Sequence, residues 1–375
     1  MNSGHVVTRD VLARGLAGLG VRPGATVIAH TSLSSFGYVV GGAHSVLLAL
    51  RDAVGAAGTL VMPAFTPQLC HPHTWRRPEL AHAAADPATA AQMPCFDARR
   101  TPVARTMGVL PELLRTQPGA RRSGHPHVSF TAQGPRAERI VAEHPLAWRL
   151  AAHGPLGRLW DLDATVLLLG TRWQKCTALH LAEYATAYPG RRAGWWSLPV
   201  PGPLGRTSWR QVPELLVWEG DFDALGDAYQ AAGRPLATAQ VAGALCRAVP
   251  LRELVTFACQ WLADHRDLRR GLPPPGWRDV IPAPRPLPPG LLPTPPQPAP
   301  PTTPQSHLPD PSGTPQSHLP DPSGTHQSRL PDVSGALRPS PPDAPQSRLA
   351  DVSGAPLSRL LAPPQPCLTA TEPTP

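Results

Sequence analysis

The sequence lacks several features that would assign it to a common class. Its six cysteines lie scattered without a CxxC pair. No signal peptide is visible, and no apolar run approaches the ~20 residues that a membrane-spanning helix needs. We therefore expect a reduced, cytoplasmic protein that does not sit in a membrane and has no structural disulfides. The Gly-Lys-Ser/Thr of a Walker loop and the GxGxxG pattern are also missing.

Lysine is almost absent, with Lys175 as its only occurrence, so arginine supplies nearly all of the positive charge. The formal net charge of the 375-residue chain is +8. Such a surface suits an anionic ligand. Nucleic acid is not the expected partner, because no run of basic residues interleaved with aromatics is present.

Aromatic residues become scarce after residue 272, where Trp277 is the only one of the 10 tryptophans. The same segment, 273–375, holds 31 of the 52 prolines. It also contains an 11-residue repeat, TPQSHLPDPSG, twice in identical form and twice in altered form. A chain of this composition cannot bury enough apolar surface to offset the entropy of ordering. We predict a folded domain at 1–272 and a disordered proline-rich tail at 273–375, either an inert extension or a ligand for proline-binding modules.

The N-terminal half of the domain reads as a strand, a small-residue loop, a helix and a second strand. The strands are predicted at 26–30 and 59–64, and the helix, with an apolar face, at 43–54. This order is a βαβ unit with a parallel pair of strands. We predict an α/β fold with a mixed, largely parallel sheet and flanking helices.

Further elements are predicted along the rest of the chain, after a loop-like segment at 66–100 that four prolines interrupt. Thr8 is expected to cap a first helix at 9–19, and Pro111 marks a kink or a late start in a helix between 101 and 115. The other predictions are strands at 128–132, 164–169, 195–200 and 215–218, and helices at 222–231, 238–249 and 254–265.

The loop after the first predicted strand contains candidates for phosphate binding, namely Ser32, Leu33, Ser34, Ser35 and Gly41. Small residues between a strand and a helix let backbone N–H groups approach an anion, and the helix dipole adds to the attraction. The alternative is a turn in which glycine serves only the backbone geometry.

A second candidate site lies in the motif Cys176-Thr177-Ala178-Leu179-His180-Leu181-Ala182-Glu183. It follows the buried strand at 164–169 and opens a segment with helical spacing, so His180 and Glu183 are expected to touch. An imidazole oriented by a carboxylate is suited to act as a general base. The alternative is a partly exposed His and Glu on an amphipathic helix.

Two weaker candidate sites lie between these motifs. Cys70, His71, His73 and Cys95 lack the usual spacing of a zinc site, so we expect no metal. Arg122 and Ser123 precede the strand at 128–132 and are placed either to hold a phosphate or in a solvated turn.

Taken together, these stretches resemble the aminoglycoside 3-N-acetyltransferase family over roughly residues 5–268. Each motif is weak alone, but they occur in the family's order and with similar spacing. The motifs are 30–37 (HTSLSSFG) with Gly41-Gly42, Phe96-Asp97 with Thr101-Pro102, Met107-Gly108, 122–126 (RSGHP) with Ser129-Phe130, 155–159 (PLGRL) and 177–183 (TALHLAE).

The resemblance implies an enzyme that uses acetyl-CoA to acetylate a primary amine on a deoxystreptamine ring. It implies that the serine loop contacts the coenzyme and that His180 is the base, with Glu183 beside it. Thr177 falls where the family places a threonine near the thioester. Arg122 and Lys175 are expected near the phosphates. Cys176 is adjacent, so an acetyl-cysteine intermediate is the alternative to a structural cysteine.

The chain departs from the family in the segment expected to meet the polycationic antibiotic. The acidic run near 68–72 is absent, and the aromatic segment after it is replaced by the alanine-rich 81–91. The remaining candidates for holding the acceptor are Asp97, His125, Asp221 and Asp223. Acetyl transfer to a different amine, or coenzyme binding without catalysis, are the alternative functions.

Overall fold

The computed structural model describes residues 6–75 and 78–270. The predicted tail, 273–375, lies outside the described residues, so the boundary at 272 stays a prediction. The helices are α1 Arg9–Gly18, α2 Gly42–Val54, α3 Ala81–Ala85, α4 Pro87–Ala91, α5 Val109–Arg115, α6 Ala137–Val141, α7 Pro155–Asp161, α8 Leu179–Ala185, α9 Phe222–Ala231 and α10 Leu251–His265. The strands are β1 Val6–Val7, β2 Thr26–Thr31, β3 Tyr38–Val39, β4 Thr59–Pro63, β5 Arg121–Arg122, β6 Phe130–Gln133, β7 Thr165–Leu169, β8 Ala193–Pro201, β9 Thr207–Leu215, β10 Ala237–Val241 and β11 Ala244–Pro250.

A seven-stranded sheet with the order β10-β11-β7-β2-β4-β6-β5 forms the centre of the domain. Strand β2 pairs in parallel with both β4 and β7, and the flanking pairs are antiparallel. Five of the seven strands therefore point the same way, because the two edge strands reverse direction again. The predicted α/β class, the mixed sheet and the βαβ unit β2-α2-β4 are confirmed.

Alternation along the central strands divides the apolar side chains between two cores. In β2, Val27 and Ala29 face the core built with α1, α2 and α5, whereas Ile28 faces the core built with α6 to α10. Successive side chains of a strand point to opposite faces, so a sheet covered by helices on both faces is buried throughout. The result is a three-layer arrangement.

Local signals explain where several helices begin. The hydroxyl of Thr8 accepts the Val11 N–H at 3.4 Å, which caps α1 as predicted. Helix α5 begins only at Val109, so Pro111 lies in its first turn, where the missing N–H leaves no helical bond unmade. The late start is therefore the correct alternative.

The helix predicted at 238–249 is wrong, because this segment forms the antiparallel hairpin β10-β11. Ala244, Cys246 and Ala248 are buried while Leu245 is exposed, which is the alternation of a strand. The alanine content favours a helix locally, but pairing of β11 with β7 overrides that preference.

Two smaller differences concern the loop and the second hairpin. The segment predicted as loop at 66–100 contains the short helices α3 and α4. Strand β9 ends at Leu215, where the sequence predicted a strand to begin, and it pairs with β8 in a separate two-stranded sheet. Within residues 6–75 and 78–270, no helix has the length and apolar character to span a membrane.

Candidate functional site

Two loops meet at the carboxyl edge of the central parallel strands. The Ser32 N–H donates to the Leu169 carbonyl at 2.9 Å, which ties the loop after β2 to the end of β7. The Ser35 hydroxyl donates to the Gly170 carbonyl at 2.8 Å. Gly170 has φ of +68°, and a Cβ there would lie 2.6 Å from the Ser35 Cβ, so this approach requires glycine. The serine loop and the loop that leads to α8 are thus joined.

The helices that follow these two strands lie on opposite faces of the sheet. Helix α2, after β2, packs into one core, and α8, after β7, packs into the other. In α/β proteins, such a divergence opens a crevice at the carboxyl ends of the strands, where ligands bind. The candidate site is therefore this crevice between β2 and β7.

The serine loop carries a chain of hydroxyl groups at one side of the crevice. The Ser32 Oγ lies 2.8 Å from the Ser35 Oγ and 3.3 Å from the exposed Ser34 Oγ, and Leu33 between them is half-buried. Gly41 precedes α2 in the left-handed conformation, with φ of +73°. This stretch presents hydroxyls and the free N–H groups of a 13-residue helix to a ligand.

His180 and Glu183 form the predicted pair on α8. The His180 Nδ1 lies 2.5 Å from the Glu183 Oε2, with side-chain exposures of 13% and 0%. The predicted contact is confirmed; Glu183 is buried, and His180 is partly exposed. Because the Nδ1–H of His180 donates to Glu183, the Nε2 atom of the same ring carries a lone pair that can accept a proton.

Glu183 is buried but stays charged because donors surround it. Its Oε1 accepts from the Arg266 guanidinium and from the Trp218 N–H, the latter at 2.8 Å. Burial alone would raise the pKa of this carboxyl. The positive charge of Arg266 and the hydrogen bonds from His180 and Trp218 outweigh it, and the net pKa is lowered. Glu183 is therefore a carboxylate that holds the imidazole in one tautomer.

Arg266 is a functional residue that the sequence did not predict. It follows α10, 83 positions from Glu183, and bridges Glu183 to Asp221, whose Oδ2 it contacts through Nε at 2.8 Å. No local pattern marks it, since it is one arginine among many at a helix end. Arg266 occupies both oxygens of Asp221, so the structure gives no support to a contact between Asp221 and the acceptor, and that role stays a prediction.

Thr177 and Cys176 lie just before the start of α8. The Thr177 carbonyl accepts the His180 N–H at 3.1 Å, so the threonine lies one turn before the imidazole. Burial raises the pKa of the Cys176 thiol to about 12. A thiol that stays protonated at neutral pH is a poor nucleophile, which favours the structural cysteine over an acetyl-cysteine intermediate.

Comparison with known proteins agrees with this geometry. The sequence profile described as aminoglycoside 3-N-acetyltransferase matches residues 28–263. The chain belongs to the aminoglycoside 3-N-acetyltransferase family.

Two relatives are each 36% identical to the chain. The SPbeta prophage-derived aminoglycoside N(3')-acetyltransferase-like protein YokD of Bacillus subtilis aligns over 258 residues, 69% of this chain and 93% of its own. Aminoglycoside N(3)-acetyltransferase VIII of Streptomyces fradiae aligns over 280 residues, with the same two coverages.

Two solved structures share the fold. A binary complex of AAC-IIIb with CoASH has a TM-score of 0.60 and 31% identity, covering 72% of this chain and all of its own. AAC-VIa bound to sisomicin has a TM-score of 0.61 and 26% identity, covering 70% of this chain and all of its own.

Part of the family motif RSGHP lies inside the protein rather than at the crevice. Ser123 and His125 are 1% and 0% exposed. The Ser123 Oγ bonds the His144 Nδ1 and the Phe130 N–H, and the His125 Nδ1 accepts the His127 and Val128 N–H groups. Both side chains make internal bonds, so the structure gives no support to Ser123 as a coenzyme contact or to His125 as an acceptor contact, and both roles stay predictions.

Arg122 is likewise engaged by the protein itself. Its guanidinium donates to the Ser129 hydroxyl and to the carbonyls of Thr101 and Ala64, at 2.9, 2.5 and 2.7 Å. Burial lowers its pKa to about 10, so it remains charged. These contacts make Arg122 a link between three loops, and they give no support to a phosphate contact.

The two other acidic candidates differ in position. The Asp97 Oδ1 accepts the N–H groups of Arg99 and Arg100, which lower its pKa and hold a turn. Asp223 accepts the Gln174 N–H at 3.2 Å and pairs with Arg172 at 2.7 Å, beside the loop that precedes α8. Of the two, only Asp223 is joined to the site by a described contact.

The weak zinc pattern is not assembled. His71 and His73 face each other with 2.6 Å between their Nδ1 atoms, whereas the Cys95 Sγ lies against the Thr207 hydroxyl. The described part of the chain holds no group of three or more His, Cys, Asp or Glu side chains placed to bind a metal.

Proposed function

We propose that this protein transfers the acetyl group of acetyl-CoA to the 3-amino group of the deoxystreptamine ring of an aminoglycoside. The observation that carries the proposal is the contact of His180 with the buried Glu183, at the crevice where the serine loop meets the end of β7. Family membership supports the reaction. The CoASH complex and the sisomicin complex of the two structural neighbours support the two ligands.

Acetyl transfer requires a base, because the acceptor is an ammonium group in water and cannot attack until it loses a proton. His180 takes this proton at Nε2, since Nδ1 is held by Glu183. The amine nitrogen then bonds to the acetyl carbon and gives up a second proton to solvent, and the carbon–sulfur bond breaks. The coenzyme A thiolate departs and recovers a proton from the imidazolium, which returns His180 to its starting state.

The coenzyme is held by the loop between β2 and α2. Ser32, Ser34 and Ser35 offer hydroxyls, and the backbone from Leu33 to Gly41 leads to the helix N-terminus, where a phosphate is attracted. Thr177, at the start of α8, is placed to donate to the developing oxyanion or to the leaving thiolate.

The acidic residues of the chain bear on which amine it accepts. A polycation is held best by carboxylates, and Asp223 is the candidate nearest to α8, with Asp97 as a second. Between 66 and 91 the sequence has only two acidic residues, Glu79 and Asp86. This scarcity favours, as a second candidate function, the same transfer to a less cationic amine.

The test is release of coenzyme A thiol from acetyl-CoA with a panel of deoxystreptamine aminoglycosides and a panel of simple primary amines. We expect turnover with at least one aminoglycoside and an acetyl group on its 3-nitrogen in the NMR spectrum of the product. Turnover with simple amines alone would favour the second candidate. Binding of acetyl-CoA without turnover on any amine would favour a non-catalytic coenzyme-binding protein.

A further inference from the structure

His30 is a buried histidine that the proposed reaction does not yet use. It lies one residue before the end of β2, opposite Leu168 of β7. Since Ile28 faces the core that contains α8 and alternate residues share a face, His30 points to the same side as α8. The residues that follow it in sequence begin the serine loop.

The imidazole of His30 differs from those of the buried His125 and His127 and of the half-buried His144. These three place Nε2 against a backbone carbonyl, at 3.2, 3.1 and 2.7 Å. His30 is 8% exposed, and its Nε2 is buried without a hydrogen-bond partner among the described residues. Buried polar atoms are nearly always paired, so an unpaired one at a ligand crevice indicates a partner that arrives with the ligand.

The His30 ring also remains neutral, and it lies on the face of the sheet that carries the base. Burial, and then the charge of His180, lower its pKa to about 3. A neutral imidazole carries one N–H, which it can donate to an oxygen without competing for the proton that His180 must take.

We propose that His30 is a second catalytic residue, whose Nε2–H donates a hydrogen bond to the acetyl carbonyl oxygen of acetyl-CoA. This inference rests on the proposed function. The carbonyl must lie between the coenzyme, held by the loop that His30 opens, and the amine, met by His180. As the amine adds, the carbonyl oxygen gains negative charge, and the oriented N–H stabilises it. When the carbon–sulfur bond breaks, the oxygen returns to a carbonyl and the proton stays on His30.

Two variants separate this role from a structural one. His30→Leu removes the donor, and we expect kcat to fall by about 10²–10³, with KM for both substrates changed only a few-fold. His30→Gln keeps an N–H near the position of Nε2, and its kcat should be at least about tenfold higher than that of His30→Leu. The Tm of His30→Leu should not fall, because the atom removed has no protein partner.

A bonded buried histidine supplies the matched control for stability. His127→Leu removes a side chain bonded to the Leu69 carbonyl and to the Trp196 indole, and it should lower the Tm. If His30→Leu also lowers the Tm while kcat stays within about threefold of the parent, His30 is structural and the proposal is wrong. A rise in the KM of the amine with unchanged kcat would assign His30 to the acceptor instead, and would also overturn it.

A spectroscopic measurement tests the contact itself, without turnover. In protein with 15N-labelled histidine, the His30 Nε2–H signal, assigned by its loss in His30→Gln, should shift when acetyl-CoA is added. It should shift less with coenzyme A, which lacks the carbonyl. Equal shifts with both would contradict the proposal. If the parent protein turns over no amine but shows the acetyl-specific shift, the proposed function fails and this contact stands.

Discussion

Glu183, Arg266 and Asp221 form a charge cluster behind the imidazole of His180. Arg266 supplies one positive charge, and its pKa is raised despite burial because two carboxylates flank it. The pKa of Glu183 is lowered, whereas that of Asp221 is raised, chiefly by burial, even though both bond the same guanidinium. With both carboxylates ionised the cluster has a net negative charge, which an imidazolium on His180 would neutralise. The cluster therefore places negative charge against the Nδ1 side of the imidazole.

Replacement of the imidazole tests the base directly. We expect His180→Ala to lower kcat by about 10² or more, because the amine loses the base that Glu183 orients. Thiol release at saturating substrate is the measurement. His153→Ala, at an exposed histidine, is the control and should leave the rate unchanged. An unaltered rate in His180→Ala would remove the base assignment.

The pH dependence of stability tests the charge on Glu183. A carboxyl whose folded pKa is lowered stabilises the protein above its ordinary pKa of about 4.3, and this contribution is lost as the pH falls through the folded value. The Glu183→Gln variant lacks this pH-dependent contribution to stability. We expect the Tm of the variant to lie below the parent at pH 7 and the difference to shrink as the pH falls below about 4.3. A difference that is constant or grows on acidification would show that Glu183 is protonated in the fold.

At the scale of elements, the end of α10 secures α8. Arg266, with 1% of its side chain exposed, donates to Glu183 on α8, to Asp221 before α9 and to the Trp218 carbonyl at 2.9 Å. Removing the cation from such a site leaves buried carboxylates unpaired. Helix α8, which carries the proposed base and is only seven residues long, thus depends on a side chain from a distant segment.

We expect Arg266→Leu to lower the free energy of unfolding by about 3–5 kcal/mol, measured by urea denaturation, and to reduce kcat as Glu183 loses its restraint. Arg252→Leu, in α10 itself, is the matched control. Arg252 is 41% exposed, lies 3.8 Å from Asp163 and donates to the carbonyls of Trp160 and Asp161, so its loss should cost about 1–2 kcal/mol, less than the loss of Arg266. Equal effects of the two variants would mean that burial of the Arg266 pair is irrelevant.

How far the sequence predicts the molecule depends on whether the signal is local. The βαβ unit, the Thr8 cap and the His180–Glu183 contact follow from periodicity and spacing within a few residues. The hairpin β10-β11 could not be predicted, because β7 supplies its pairing partner from about 80 positions away. The roles proposed for Arg266 and His30 could not be predicted for the same reason. A histidine within a strand or an arginine at a helix end becomes informative only once its neighbours are known.

The serine loop has its own test, at a position where the fold tolerates change. Ser34 is exposed, so Ser34→Asp adds a negative charge with little effect on folding. If the loop holds the anionic coenzyme, the Kd of acetyl-CoA should rise by about tenfold or more, since 1.4 kcal/mol of repulsion has that effect. Calorimetric titration measures it, with the neutral Ser34→Asn as control. Equal affinity in both variants would place the coenzyme elsewhere.

At the scale of the whole molecule, the chain is still packed onto the domain at Leu268, shortly before the proline-rich segment. The Leu268 N–H donates to the Pro189 carbonyl at 2.9 Å, and its side chain is buried. All the groups proposed for binding and catalysis lie before this point. Nothing in the proposed reaction therefore requires residues 273–375, whose composition predicts no packed core.

Two truncations bracket this boundary. A chain ending at residue 272 keeps Arg266 and Leu268, and we expect it to have the Tm and kcat/KM of the full-length protein. A chain ending at residue 264 loses both, and it should show a lower Tm and reduced kcat, because Glu183 and Asp221 lose their shared cation. Thermal denaturation and thiol release measure the two properties. If the longer truncated chain is also unstable or inactive, then the proline-rich segment is part of the folded domain and the predicted boundary is wrong.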